Sequence, residues 1–178
     1  MSFPTRALVS LSLALCSAAA GFGAAPATPE EKLAALGHTL PVASSPVANY
    51  VSAVRTGNLV FLAGHLPRGA DGKVIVGRVG ADTTEAQAQA AARQTTLGLL
   101  ASLKKEIGDL SKVKRIVRVT GYVRATDEFQ NHPQVMNACS DLLVAAFGDK
   151  GRHARAALGM ASLPLGAVVE IDLIAEIE

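Results

Sequence analysis

An arginine set in a row of very small residues is the first feature with chemical potential. Between His153 and Ala161 the alternate positions His153, Arg155, Ala157, Gly159 and Ala161 fall on one side of a β-type run. A solvent-facing strand ordinarily carries larger polar side chains, so this row leaves two readings open. Either there is room beside the guanidinium for a ligand, or Arg155 pairs with a carboxylate at a contact with another chain. A planar guanidinium holds a carboxylate through two charge-assisted hydrogen bonds, so the ligand reading points to a small anionic head group. The second candidate is Glu170, where Val168, Glu170, Asp172, Ile174 and Glu176 alternate with Val169, Ile171, Leu173, Ala175 and Ile177. Such a carboxylate either orients and deprotonates a water or is a solvated strand side chain. If the two last strands pair as a hairpin about Pro164, Arg155 and Glu170 share a face and stand roughly 13 Å apart. That distance suits a small molecule between them, or a site that draws one of the two from an adjacent subunit.

Other polar residues carry weaker signals. His65, in Ala63-Gly64-His65-Leu66-Pro67, either binds substrate or is an exposed turn histidine. The four histidines, His38, His65, His132 and His153, have no short metal-ligand spacing and no cysteine pair to join them, so no metal site is expected. Cys139 lies on an apolar helical stripe and reads as a packing residue. Gly-rich phosphate loops and a Gly-x-Ser-x-Gly elbow are absent from the sequence, which removes support for nucleotide-dependent transfer and serine-hydrolase chemistry.

The elements that must position these residues follow from periodicity. Tyr50–Val54 and Leu59–Leu62 are β-type runs joined by Arg55-Thr56-Gly57-Asn58, which predicts a hairpin. Ala88, Ala92, Leu99, Leu103 and Ile107 recur at helical multiples, with Asp82 and Glu85 placed as a capping pair and Gly108 as the stop. Val113, Val117, Val119 and Val123 share one side of a strand; Arg118, Thr120, Tyr122 and Arg124 share the other. A second helix starts at Pro133 and carries Val135, Cys139, Leu142, Leu143 and Ala146 on one side before Gly148. Two strands close the chain, giving β-β-α-β-α-β-β. Two helices cannot cover both faces of such a sheet, so an α+β fold with both on one face is expected, the other face being used by further subunits.

Composition bounds the rest. The 178 residues, nearly half of them apolar, suffice for one core, with residues 47–178 as the domain and residues 28–46 as an extension containing a short helix from Glu30 to Leu36. A net charge of +2 and the absence of Trp leave no basic groove or stacking platform for nucleic acid and no polybasic membrane patch. Residues 1–27 read as a secretory signal with a small-residue spacer: Arg6, an apolar run through Leu15, then small residues, with cleavage expected after Ala20 or Ala27. The mature chain is therefore expected to be exported, periplasmic or secreted, with no membrane attachment. A lipoprotein reading is weakened by Leu15 directly before Cys16. Loss of Cys16 leaves Cys139 alone and no intramolecular disulfide.

Several segments together resemble a known family. Tyr50-Val51-Ser52-Ala53-Val54, Gly57-Asn58-Leu59-Val60-Phe61, Ala63-Gly64-His65-Leu66-Pro67, Ala154-Arg155-Ala156-Ala157 and Leu163-Pro164-Leu165-Gly166-Ala167-Val168-Val169-Glu170-Ile171 are similar to the Rid superfamily, also called YjgF or L-PSP endoribonuclease. The resemblance implies a chorismate-mutase-like fold, a homotrimer with barrel-like packing of its sheets, and ligand clefts between subunits. It also implies cofactor-free hydrolysis of reactive 2-imino and enamino acids to 2-keto acids and ammonia. By motif, Arg155 falls on the substrate-carboxylate arginine, Glu170 on the acidic residue near the water, Tyr50 on a pocket tyrosine and Asn137 on a pocket asparagine. Beside these, backbone amides near Gly64 are candidates to polarise the substrate, and His65 is a candidate to contact it. Val51 and Ala63 stand where deaminating members typically have serine. The alternative is a sensor or scavenger that binds a small metabolite in the same clefts without turnover.

Overall fold

The computed structural model describes residue 1 and residues 27–43, 45 and 48–178. The expected leader, with the cleavage position after Ala20, lies outside the described residues apart from its two ends, and so does Val47. Thr28 starts a short helix, α1 (Pro29–Ala35), through a reciprocal capping box with Glu31. Leu33 on this helix is buried in the main hydrophobic core, so the segment preceding Val47 contributes to the fold.

A two-residue Gly57-Asn58 turn, with Gly57 at φ 58°, joins β1 (Ala53–Thr56) to β2 (Leu59–His65) in the predicted hairpin. The next helix, α2 (Glu85–Ile107), buries all five predicted core positions and ends at Gly108. Its cap differs from the expected Asp82–Glu85 pair. Thr84 and Gln87 form the box instead, because Asp82 already accepts from the Arg78 amide and the Thr83 hydroxyl in the preceding turn.

The central strand β3 (Val113–Arg124) departs from strict alternation. Register shifts between Val113 and Arg115 and between Ile116 and Arg118 reverse its parity, so Val113, Ile116, Val119 and Val123 are buried while Val117 is only partly covered. The following helix, α3 (His132–Phe147), buries all five predicted apolar residues. It approaches β3 closely because Gly121 has no Cβ: one there would strike the Met136 side chain.

The last strands, β4 (Ala154–Met160) and β5 (Val169–Ile177), do not form the expected hairpin. The sheet order is β1-β2-β5-β3-β4, with β3 lying between β4 and β5. β4 runs parallel to β3 and β5 antiparallel to it. A parallel neighbour needs a crossover, which α3 supplies between β3 and β4. β4 is thereby placed at the sheet edge, and β5 fills the interior position between β2 and β3.

This order resets the geometry of the two chemical candidates. Arg155 is in register with Val119, and Val119 with Leu173. Leu173 and Val119 are fully buried on the helix side, so Arg155 points to that side too. Glu170 is in register with Tyr122, and Tyr122 with Leu158, on the opposite, uncovered side. Arg155 and Glu170 therefore do not share a face. Three residues along the sheet and two strands across separate their backbones by roughly 14 Å.

Candidate active site

On the uncovered face, Glu170 and Asp172 project from alternate positions of β5 beside Tyr122 of β3. With Gly64, Met160, Ser162, Leu163 and Pro164 they line a cleft of about 360 Å³. Gly64 is required by close approach, since a Cβ there would overlap the Glu170 carboxylate. The glycine thus lets Glu170 lie over the β2 backbone. Partial burial, and secondarily the neighbouring Asp172 charge, raise the Glu170 carboxyl above its ordinary range. Burial raises the Tyr122 phenol as well, and its hydroxyl donates to Asp172 Oδ2 at 3.3 Å. One side of the molecule therefore holds two crowded acidic groups, one of them inclined to carry a proton near the cleft.

At the β4 edge the arrangement is different. Arg155 is exposed, and its Nη1 donates to Asn137 Oδ1 and to Ser140 Oγ of α3, each at 3.0 Å. Both partners are neutral. Among the described residues Arg155 makes no ion pair. Two acceptors occupy the two hydrogens of Nη1, which leaves the Nε–Nη2 side of the guanidinium as a two-pronged donor. The small residues of the row have a concrete cause. α3 lies across them, and a Cβ on Gly159 would meet the His132 ring.

His153, immediately before β4, completes this edge cluster. Its Nδ1 lies 2.7 Å from the Gly151 carbonyl and its Nε2 lies 3.1 Å from Ser140 Oγ. A carbonyl only accepts, so Nδ1 carries the proton and Nε2 takes one from the Ser140 hydroxyl. Burial lowers the pKa of His153, in keeping with a neutral ring; the Gly151 carbonyl opposes that shift and the Arg155 charge adds to it.

The remaining candidates separate. Tyr50 is exposed and, with Gly64, His65, Val76 and Leu165, borders a larger hollow of about 1010 Å³. Gly64 lines both this hollow and the Glu170 cleft. His65 is neither exposed nor on a turn. It ends β2, is buried, donates from Nδ1 to Ala63 O at 2.8 Å and accepts at Nε2 from Ser102 Oγ at 2.7 Å. With both ring nitrogens used, His65 anchors the Gly64 backbone to α2. Cys139 is buried, and burial pushes its thiol up to about 11, as expected of an inert packing residue. Among the described residues no group of three or more His, Cys, Asp or Glu side chains gathers to hold a metal ion. None of the described helices is long and apolar enough to cross a membrane.

Sequence reasoning did not single out Asp172, Tyr122 or Ser140. Asp172 shares strand parity with Glu170, and Ser140 stands one helical turn from Asn137, so both signals were present once a partner face was known.

The fold and these clusters define an α+β protein in which a mixed five-stranded sheet carries helices on one face and ionisable groups on both. The family described as "YjgF/chorismate_mutase-like, putative endoribonuclease" matches residues 30–177. Protein TCP17 of Trypanosoma cruzi is 41% identical over 143 residues, covering 80% of this chain and 89% of the relative. The crystal structure of Atu1372 from Agrobacterium tumefaciens, of unknown function, is 45% identical with a TM-score of 0.79, covering 84% of this chain and 92% of that one. That of RidA from an Antarctic Psychrobacter is 27% identical with a TM-score of 0.54, covering 76% and 94%. The chain belongs to the YjgF/RidA (L-PSP endoribonuclease) superfamily.

Proposed function

We propose that this chain is a cofactor-free hydrolase that converts reactive 2-imino and enamino acids to 2-keto acids and ammonia. The site is shared between copies in a homotrimer. One observation carries the reading. The two-pronged donor side of Arg155 and the carboxyl of Glu170 are chemically complementary, yet they face opposite sides of one sheet. A second copy is what brings such groups together. The uncovered face supports association, since Val54, Phe61, Leu158 and Met160 are exposed on it.

In this reading the Nε–Nη2 side of Arg155 takes the substrate carboxylate and fixes the adjacent C=N carbon. Glu170 of a neighbouring copy, as carboxylate, takes a proton from water as the water oxygen bonds to that carbon, and the C=N π pair moves to nitrogen. The nitrogen is then protonated from Glu170. The hydroxyl proton then passes by way of Glu170 to the nitrogen as the C–N bond breaks and C=O forms, and ammonia leaves. Asn137 holds the guanidinium, and the amide near Gly64, with Tyr50 at the rim, borders the reacting carbon.

The test generates imines in situ with an amino-acid oxidase and follows keto-acid formation with the protein lacking residues 1–27. The expected result is acceleration over buffer that falls at least about a hundredfold in Arg155→Ala. No acceleration across several amino acids would overturn the hydrolase reading. Saturable pyruvate binding without turnover, lost in Arg155→Ala, would instead mark a metabolite-binding protein.

A further inference from the structure

Arg155 is held more elaborately than an exposed arginine requires. An unpaired arginine side chain carries roughly 2 kcal/mol of rotamer entropy, and a ligand that must order it meets that cost on binding. Here one end is ordered in advance. The bonds run in one direction: Arg155 Nη1–H to Ser140 Oγ at 3.0 Å, Ser140 O–H to His153 Nε2 at 3.1 Å, and His153 Nδ1–H to Gly151 O at 2.7 Å. Each group in the line has its donor and acceptor roles fixed by the next. The line ends on rigid backbone, because Gly151 is buried and packs so closely under α3 that a Cβ there would strike the Leu143 carbonyl. Ser140 is the hinge of the device: its single hydroxyl oxygen both accepts from the guanidinium and donates to the imidazole.

We infer that Ser140 and His153 are positioning residues for Arg155, forming a hydrogen-bond relay that commits Nη1 and presents the Nε–Nη2 side to an incoming carboxylate. The relay rests on the proposed role of Arg155 as the carboxylate grip. Neither residue touches the ligand. Their effect is on the affinity and orientation of the anionic head group, through the guanidinium. The neutral Nδ1–H form of His153 is the working form, since a ring protonated at Nε2 cannot accept from Ser140 and would turn the hydroxyl away.

The experiment titrates pyruvate, as probe, into the assembled protein by calorimetry. The variants compared are Ser140→Ala, Ser140→Thr, His153→Phe, His153→Gln and Arg155→Ala. Loss of one bond in a line that ends on a charged group predicts Kd values about tenfold higher in Ser140→Ala and His153→Phe. Ser140→Thr keeps the hydroxyl, and His153→Gln keeps an acceptor near the Nε2 position, so both stay within about threefold of wild type. Nitrogen-15 spectra of the His153 ring in the unliganded protein supply a second readout, independent of binding: protonated Nδ1 and unprotonated Nε2. A purely structural role predicts lower Tm without this pattern of loss and rescue. Ser140→Ala and His153→Phe both binding pyruvate within twofold of wild type, or a ring protonated at Nε2, would overturn the relay while leaving Arg155 as the grip. Wild-type protein that fails to bind pyruvate, or Arg155→Ala that binds it as wild type does, would overturn the site reading itself.

Discussion

The two polar clusters of this sheet solve opposite problems. At the β4 edge a cation is surrounded by neutral partners whose hydrogen bonds all point one way, so its free donors are defined before any ligand arrives. On the uncovered face two carboxyl groups crowd one another beside Tyr122, and partial burial holds Glu170 away from easy ionisation. One cluster has its hydrogen-bond roles settled within the chain. The other is under electrostatic tension, because burial and the neighbouring Asp172 charge both disfavour the ionised Glu170. The two clusters differ in electrostatic setting, and the sheet itself keeps them on opposite faces.

The comparison can be broken most sharply at Gly64. Because a Cβ there overlaps the Glu170 carboxylate, Gly64→Ala is expected to displace that group and lower kcat at least about tenfold, at a stability cost of about 1–3 kcal/mol. Pyruvate affinity at Arg155 should remain within twofold. Steady-state kinetics beside calorimetry reads both, and a parallel loss of affinity would mean that the clusters are not separable.

Asp172→Asn sharpens the acidic side. Removing the neighbouring charge lowers the Glu170 pKa part of the way back, so the acid limb of the kcat/KM profile should move to lower pH. The hydroxyl of Tyr122 keeps an acceptor in the amide. An unmoved limb would show that Glu170 is not the titrating base.

Stability gives a third test. The Glu170 carboxyl is raised in the folded state, so its ionisation opposes folding. Wild type therefore loses stability, relative to a non-ionising variant, as pH rises from its ordinary value of 4.5 through the raised folded value. Glu170→Gln should be more stable than wild type at pH 7, and this advantage should vanish in acid below the ordinary value. Denaturant melts at several pH values measure it. The smallest effect is expected at Cys139, buried between the clusters without a role in either: Cys139→Ala should cost about 1 kcal/mol and leave kcat/KM unchanged.

Much of the scaffold was legible before any coordinates. The α2 and α3 stripes were read residue for residue, because long amphipathic helices repeat their signal over many turns. The cap of α2 was misplaced because Asp82–Glu85 and Thr84–Gln87 share one spacing, and only the turn at Arg78 shows which is already engaged. The parity of β3 was hidden by its two register shifts, which strict alternation cannot reveal. Residue type and family resemblance point to Arg155 and Glu170 as candidates, but not to their placement on opposite faces. A short turn at Pro164 suggests a hairpin, whereas the crossover through α3 sets β4 on the far side of β3. Strand order is a property of the whole core, and the register in which β4 pairs with β3, Arg155 opposite Val119, turns Arg155 to the face away from Glu170.

The account stands on a site assembled from two copies, and mixed assemblies test it directly. Arg155→Ala and Glu170→Gln chains, each inactive alone, are co-expressed in equal amounts under different tags, and the doubly tagged oligomers are assayed on in situ imines. In a cyclic trimer that holds both chains, one contact of the three pairs an intact Arg155 with an intact Glu170, so about a third of wild-type activity should return. Mixed oligomers that form but stay as inactive as either parent would contradict a site shared between chains.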